Sequence, residues 1–330
     1  MVCIILGHLG DPYLNRFVFT FHLPVFFLIS GFYFNPNNNF RSFLKKRIRS
    51  LIVPYFVCSF LTALSYCAVQ IIVLKAAYEN IIDGLKDLGI AILYAAGDPW
   101  KTPFVIPGMG AIWFLWAMFW GQLILLLLMK TKPAIRVITL VLLFVFAHKT
   151  VVDIVFLPLS IQPGCTAALY IFVGYVFRDY ERVLSKLSVE TKILGGVSAV
   201  WVWFGFVRDF QSFWLVHSDY GRGIVDLIGS LCASGVIIFI SYLLFSQKFR
   251  YLNRYLSYIG KNSLIFLCAH FIELRTFPWW QIVNSILKDS YSDIKAIYLK
   301  IVLKILWASV CTYGFIALKN IVVKKGHTNG

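Results

Sequence analysis

The sequence predicts an all-α fold, a polytopic bundle of about ten transmembrane helices, and three observations predict it. Apolar residues make up 59% of the chain and charged residues only 14%, far from the balance of a domain that folds in water. The apolar residues lie in continuous runs, and a hydrocarbon core about 30 Å thick takes roughly 20 residues of helix to cross. Lys and Arg recur in the short segments between alternate runs, the asymmetry that orients helices in a bilayer. The runs do not alternate apolar and polar at every second residue, so a closed β-barrel is excluded.

Residues 1–9, MVCIILGHL, are apolar but too short to span, and read as the last turns of a first helix that begins upstream of Met1. Full runs follow at 17–34, 51–74, 111–129, 134–147, 164–177, 193–207, 224–245, 259–274 and 297–318, nine spans in addition to the stub. Segment 35–50 carries Arg41, Lys45, Lys46, Arg47 and Arg49 with no acid, which assigns it to the cytoplasm. Alternate segments after it are again basic, through Lys130, Lys132 and Arg136, then Arg178, Arg182, Lys186 and Lys192, then Lys248, Arg250, Arg254 and Lys261, and finally Lys319, Lys324 and Lys325. The intervening segments 75–110, 148–163, 208–223 and 275–296 are poorer in basic residues and fall outside. The expectation is a multi-pass protein of the cell membrane with its C-terminus in the cytoplasm. Segment 75–110 holds Gly97, Pro99, Pro103, Pro107, Gly108 and Gly110, and reads as irregular backbone over the outer face. No linker or shift of composition divides the chain, so 1–330 is read as a single integral membrane domain, in contact with lipid around its rim.

Several function classes drop out on composition and spacing. The net charge of +16 is spread over short loops and not gathered on one soluble face, which argues against nucleic acid as a partner. The seven cysteines, Cys3, Cys58, Cys67, Cys165, Cys232, Cys268 and Cys311, stand singly in or beside apolar runs and read as small core hydrophobes. No histidine pair has metal-ligand spacing such as H-E-x-x-H, so no metal is expected. Acids fall in the loops, with only Asp226 and Glu273 near helix ends. An ion-coupled transporter needs a carboxylate near the bilayer midplane, so this distribution counts against that class.

Polar groups at membrane depth are costly and therefore informative. His8 closes the stub, His22 lies about a turn and a half into the next run, and His270 lies two-thirds along the run that begins near Ile259. All three reach similar depth, and a histidine can take a proton from an attacking hydroxyl near neutral pH. Lys300 and Lys304 share one face near the start of the last run, and read as snorkelling to the outer interface. Trp113, Trp116 and Trp120 read as an interfacial aromatic stripe. The basic run from Arg41 to Arg49, next to Pro54, orients the chain and in addition offers several cations to phosphates.

The stretch Gly7-His8, then HLPVFFLISGFYF at 22–34, then RSFLKKRIRSLIVPYF at 41–56, resemble the acyltransferase-3 family of membrane acyltransferases. IWFLWA at 112–117, the Gly174-Tyr175 helix running into Arg178, and IGKNSLIFLCAH at 259–270 extend the resemblance almost end to end, and its branch is most similar to fucose-acetylase-type and polysaccharide O-acetyltransferases. The resemblance implies a ten-helix bundle that takes acyl groups from cytoplasmic acyl-CoA, here acetyl-CoA, and transfers them to a hydroxyl of a cell-surface or exported glycan or lipid-linked saccharide. It implies His8 as the catalytic base, with His22 matching the family's second histidine. The basic residue that the family carries eleven positions before the first of these would fall ahead of Met1. Arg41, Lys45, Lys46, Arg47 and Arg49 match its basic segment and are the candidates for holding coenzyme A. Trp113, Asn262, Ser263 and His270, within the matching segments, are the candidates for the acceptor. The competing expectation is a glycan or lipid-linked sugar transporter without acyl-transfer chemistry.

The charge alternation makes a topological prediction. With an impermeant thiol reagent on intact cells, a cysteine placed at Lys45 should be shielded and one placed at Asp219 should be labelled above the background of native cysteines. The reverse pattern would invert every inside and outside assignment made from the loops.

Overall fold

The computed structural model describes residues 1–9, 11–245, 250–287 and 293–328, and among them the regular structure is helical, with two isolated β-bridges and no strand. Part of the predicted 275–296 segment, at 288–292, lies outside the described residues. In chain order the helices are α1 (Val2–Gly7), α2 (Pro12–Val18), α3 (Pro24–Phe32), α4 (Phe40–Arg47), α5 (Val53–Ala68), α6 (Tyr78–Tyr94), α7 (Trp113–Leu128) and α8 (Pro133–Asp153). The second half holds α9 (Ile161–Ser185), α10 (Val189–Arg208), α11 (Ile224–Leu244), α12 (Arg250–Lys261), α13 (Ser263–Thr276), α14 (Trp279–Leu287) and α15 (Asp293–Thr328). A π-helical stretch at Ile48–Ile52 joins α4 to α5, and another at Val69–Val73 extends α5, giving one helical rod of 34 residues from Phe40 to Val73. This rod, Pro133–Asp153, Pro158–Tyr180, Ile224–Leu244 and Lys295–Ala317 are the five stretches long and apolar enough to cross a membrane among the described residues. The all-α membrane bundle expected from the sequence is therefore present, with several predicted spans shortened or broken.

The run 17–34 is not one helix. Asp11 caps α2, its Oδ1 accepting the Leu14 N–H at 2.8 Å, with Pro12 in the first turn, where a missing N–H costs nothing. Pro24 then brings no N–H to the carbonyl one turn back, so the helical ladder is interrupted and restarts as α3. The turn between them is held by the Phe21 and His22 N–H groups, both donating to the Val18 carbonyl at 3.2 and 3.0 Å. The run 259–274 is likewise divided, at Asn262, between α12 and α13.

Segment 75–110 needs a correction as well. Its first part is α6, which buries Ile81, Leu88 and Ala91, positions at helical spacing on one face. Glu79, Asp83 and Asp87 are therefore helical, not loop, residues. The irregular backbone begins where α6 ends, at Ala95 in the left-handed region with φ 49°, and includes all the Gly and Pro signals from Gly97 to Gly110. The tryptophans differ too. Trp113 and Trp116 are only 5% and 8% exposed, and Trp120 donates its indole N–H to the Leu159 carbonyl at 3.0 Å. They face neighbouring helices because α7 lies inside the bundle, so the stripe is core and not an interfacial belt.

The two ends of the bundle are built differently. At one end Arg178 of α9 donates from Nη1 to the Phe34 carbonyl at 2.7 Å and lies over the Tyr175 ring, while Phe34 meets the Phe43 ring of α4. At the other end segments 95–112, 154–160 and 212–221 knit into a roof. Ser160 Oγ donates to the Ala95 carbonyl at 2.6 Å, the Phe156 N–H to the Thr102 carbonyl at 3.3 Å, and His148 of α8 bonds through Nδ1 to the Ser218 carbonyl at 2.9 Å.

Between the ends, α3 crosses α9 with backbone against backbone. A methyl group on Gly31 would overlap the Ile171 carbonyl, and one on Gly174 would overlap the Leu28 carbonyl. Lipid supplies no hydrophobic drive between helices, so close approach at small residues does the work of association. Overpacking a core costs about 1–3 kcal/mol and more where backbone must move. Gly174→Leu should therefore lower the thermal unfolding temperature in detergent by many degrees and reduce the folded yield. Gly195→Ala, where an added Cβ meets open space, should leave both unchanged or slightly improved.

Candidate functional site

A cavity of about 440 Å³ runs through the middle of the bundle. Near the basic end its wall includes Ser50, Leu51 and Ser263, and near the roof it includes Asp98 and Trp214. His8 and His22 line it between these limits. The two histidines come from different elements for different reasons. His8 is the residue on which α1 ends, with φ −106° and ψ 18°, so its ring leaves the helix and faces the cavity. His22 sits in the turn that Pro24 forces between α2 and α3.

The ring of His22 has a defined state. Its Nδ1 lies 3.0 Å from the Val18 carbonyl, and a carbonyl can only accept, so Nδ1 carries the proton. In the neutral ring Nε2 then keeps its lone pair. Phe19 packs against the same ring at a centroid distance of 5.0 Å, fixing its plane. The nitrogens of His8 have no hydrogen-bond partner among the described residues, and its ring lies 5.5 Å from that of His270, centroid to centroid.

His270 is behind His8, outside the cavity lining. Its Nδ1 is 2.6 Å from Glu273 Oε1, and Lys304 donates to the same carboxylate at 3.0 and 3.1 Å. Trp279 donates its indole N–H to Glu273 Oε2. Glu273 and Lys304 are 0% exposed. The expectation that Lys300 and Lys304 snorkel to the interface is therefore corrected, since both are buried and Lys304 is held by a carboxylate of a neighbouring helix. Two signals could have found this cluster: a lone lysine inside an apolar run, and an acid three residues after a histidine on one helix.

The other sequence candidates divide. Trp113 and Ser263 line the cavity, whereas Asn262 does not and bonds its amide to the Tyr258 carbonyl at 2.9 Å. Arg41, Lys45, Lys46 and Arg49 are exposed on the first part of the 34-residue rod, none of them in the cavity wall. Arg47 is half-buried over the Phe43 ring at 5.0 Å, and its Nε has no partner among the described residues. The basic run thus stands immediately before Ser50 and Leu51, which do face the cavity. No group of three His, Cys, Asp or Glu side chains that could hold a metal occurs among the described residues.

The roof adds residues that the sequence reading left aside. Burial raises the Asp98 carboxyl above its ordinary value. His217, one residue after two cavity-lining side chains, stacks on Trp100 at 4.3 Å, and its Nδ1 is buried without a partner among the described residues.

Comparison with known proteins places residues 1–318 in a match to the family described as acyltransferase domain, of the acyltransferase-3 type. No curated protein and no solved structure matches the chain.

Burial lowers the His217 imidazole from 6.5 to about 4. A histidine whose folded value is depressed is neutral in both states above its unfolded value and contributes nothing there. As the pH falls through 6.5 the unfolded chain takes up a proton that the folded one refuses, so stability falls until about pH 4 and then levels. At 1.36 kcal/mol per unit, the loss from this group is about 3 kcal/mol. Thermal unfolding in detergent should therefore show a drop between pH 7 and pH 4 that is clearly smaller in His217→Phe, which retains a ring against Trp100. An identical pH dependence in the two proteins would remove His217 as a source of acid sensitivity.

Proposed function

Because the chain belongs to the acyltransferase-3 family and is a membrane acyltransferase, we propose that it moves an acetyl group from acetyl-CoA to a hydroxyl of a cell-surface or exported glycan. The observation that carries this reading is the cavity itself, with two histidines between a basic end and a roof bearing an acid and an indole. A thioester donor with its phosphates beside Arg41, Lys45, Lys46, Arg47 and Arg49 can extend its acetyl group past Ser50 and Leu51. Bidentate guanidinium groups and compact ammonium groups suit phosphates of this kind. A saccharide entering at the roof meets Trp214, whose ring face packs on the apolar face of a sugar, and Asp98, which can accept from its hydroxyls. The basic end then faces the cytoplasm and the roof faces outward.

In this mechanism the hydroxyl oxygen attacks the acetyl carbonyl carbon while His8 takes the hydroxyl proton. The C–O bond forms, the C–S bond breaks, and the proton held by His8 passes to the leaving thiolate, so the enzyme ends as it began. His22, with Nε2 unprotonated, accepts a hydrogen bond from a neighbouring hydroxyl of the same sugar and so holds the attacking hydroxyl toward the carbonyl. Trp113 and Ser263 complete the wall that confines the reacting groups.

Removing a general base lowers rate by about 10²–10⁴. Membranes that contain the protein should release coenzyme A from labelled acetyl-CoA and place label in the saccharide fraction. His8→Ala should abolish both while the protein remains at normal level, and His22→Ala should cause a large but incomplete loss. Movement of glycan across the membrane without acetyl transfer would favour transport over chemistry. Full acetyl transfer by His8→Ala would shift the base to His22.

A further inference from the structure

The mechanism above leaves the buried ionisable side chains around Glu273 unused. Glu273 of α13 is surrounded by three donors from three elements: His270 one turn earlier, Trp279 of α14 and Lys304 of α15. A buried ion pair recovers little net stability, because desolvating both charges offsets most of their attraction. Apolar residues of the same volume would hold α13 to α15 at least as well. Charges kept at membrane depth at that cost mark a functional site by default.

The hydrogen bonds give the group a direction. Carboxylate oxygens accept, so His270 Nδ1 carries a proton that it donates to Glu273 Oε1. The lone pair of the neutral ring is then on Nε2. That atom is buried and has no partner among the described residues, and the His8 ring lies 5.5 Å from the imidazole, centroid to centroid. An unpaired acceptor in a site this well ordered is expensive to leave unmade.

We propose that His270, oriented by Glu273 and Lys304, is the proton acceptor behind His8, so that the base of the reaction is a two-histidine relay and not a single imidazole. The inference rests on the reading of His8 as the group that meets the hydroxyl. As the C–O bond forms, the hydroxyl proton goes to the His8 nitrogen facing the cavity, and the proton on its other nitrogen goes to His270 Nε2. The resulting imidazolium is balanced by the carboxylate already bonded to its Nδ1. When the C–S bond breaks the protons return by the same route, and coenzyme A leaves as the thiol. Lys304 is a positioning residue here. Its two bonds to Glu273 hold the carboxylate where it fixes the His270 tautomer.

The test uses the full chain in membranes, with labelled acetyl-CoA as donor, the saccharide fraction of those membranes as acceptor, and protein level measured in parallel. The first variant is His270→Gln, which retains an N–H donor for Glu273 but has no basic nitrogen. The second is the double variant Glu273→Gln with Lys304→Met, which removes both buried charges together and leaves neither uncompensated. Both should lower kcat about 100-fold or more, the range for loss of proton-transfer catalysis, with KM for acetyl-CoA unchanged. A purely structural role for the cluster predicts instead that loss of activity follows loss of protein, with normal kcat in the molecules that remain. If either variant turns over at the parental rate while His8→Ala is inactive, the relay is wrong and the single-base reading stands. If His8→Ala is itself fully active, that reading falls and takes the relay with it.

Discussion

A carboxylate buried among apolar helices has to have its oxygens met by donors, and this requirement at Glu273 organises one half of the molecule. Its three donors come from α13, α14 and α15, so the positions of those helices are tied to one another at a single point. The α1 helix then packs on the same group, with Ile5 in a cluster with Ile259, Phe266, Ala269 and Ala308. The His8 ring is set by that packing, because α1 has only six residues and cannot hold an orientation alone. The placement of the cavity histidine is thus a consequence of where a charge pair had to be satisfied.

The other half depends on a different constraint, the contact of α3 with α9 through Gly31 and Gly174. Close backbone approach leaves no room for sliding, so α3 is fixed in depth and rotation. Pro24 at its start interrupts the ladder, and the turn before it presents His22 to the cavity with Nδ1 bonded to the preceding helix. The break and the crossing act together. A straight helix through residues 17–34 would carry no turn at His22, and a loosely packed α3 would leave the histidine's distance from His8 undefined.

How much of this was legible in the sequence follows from the same physics. Length and continuity of apolar runs report membrane helices directly, because they depend on transfer of residues from water. His8, His22, Trp113 and Ser263 were named from the sequence and line the cavity. What failed was anything that required knowing which side of a helix faces protein. In lipid both faces of a helix are apolar, so Trp113 and Trp116 could not be distinguished from an interfacial belt by spacing. Lys304 failed for a related reason, since its partner lies 31 residues away and a snorkelling lysine and a paired one have the same local sequence. The short helix α6 was hidden because the Gly and Pro signals of the segment after it were read over its whole length. Asn262, in a matching segment, stands outside the cavity wall, and its amide donates to the Tyr258 carbonyl of the preceding helix.

The roof bears on how acyl transfer could outrun hydrolysis of the thioester. It is irregular backbone, yet several of its polar groups are paired inward, His217 Nδ1 being an exception among the described residues. Tyr220 donates to Thr166, Thr166 meets Ser218 at 3.4 Å, and Tyr170 and Ser230 share a hydrogen bond of 2.6 Å below them. Such a network is stiff only while every member is satisfied. A rigid cover over a mostly apolar cavity limits the number of waters that can stand where the acceptor hydroxyl must stand, and confinement of the reacting groups is itself a large part of rate. For the proposed acetyl transfer, selectivity for a sugar hydroxyl over water would then need no special chemistry at the histidines. It would follow from a cavity with an indole and a carboxylate at its roof, the acceptor side of that proposal, and a basic helix beside its other end.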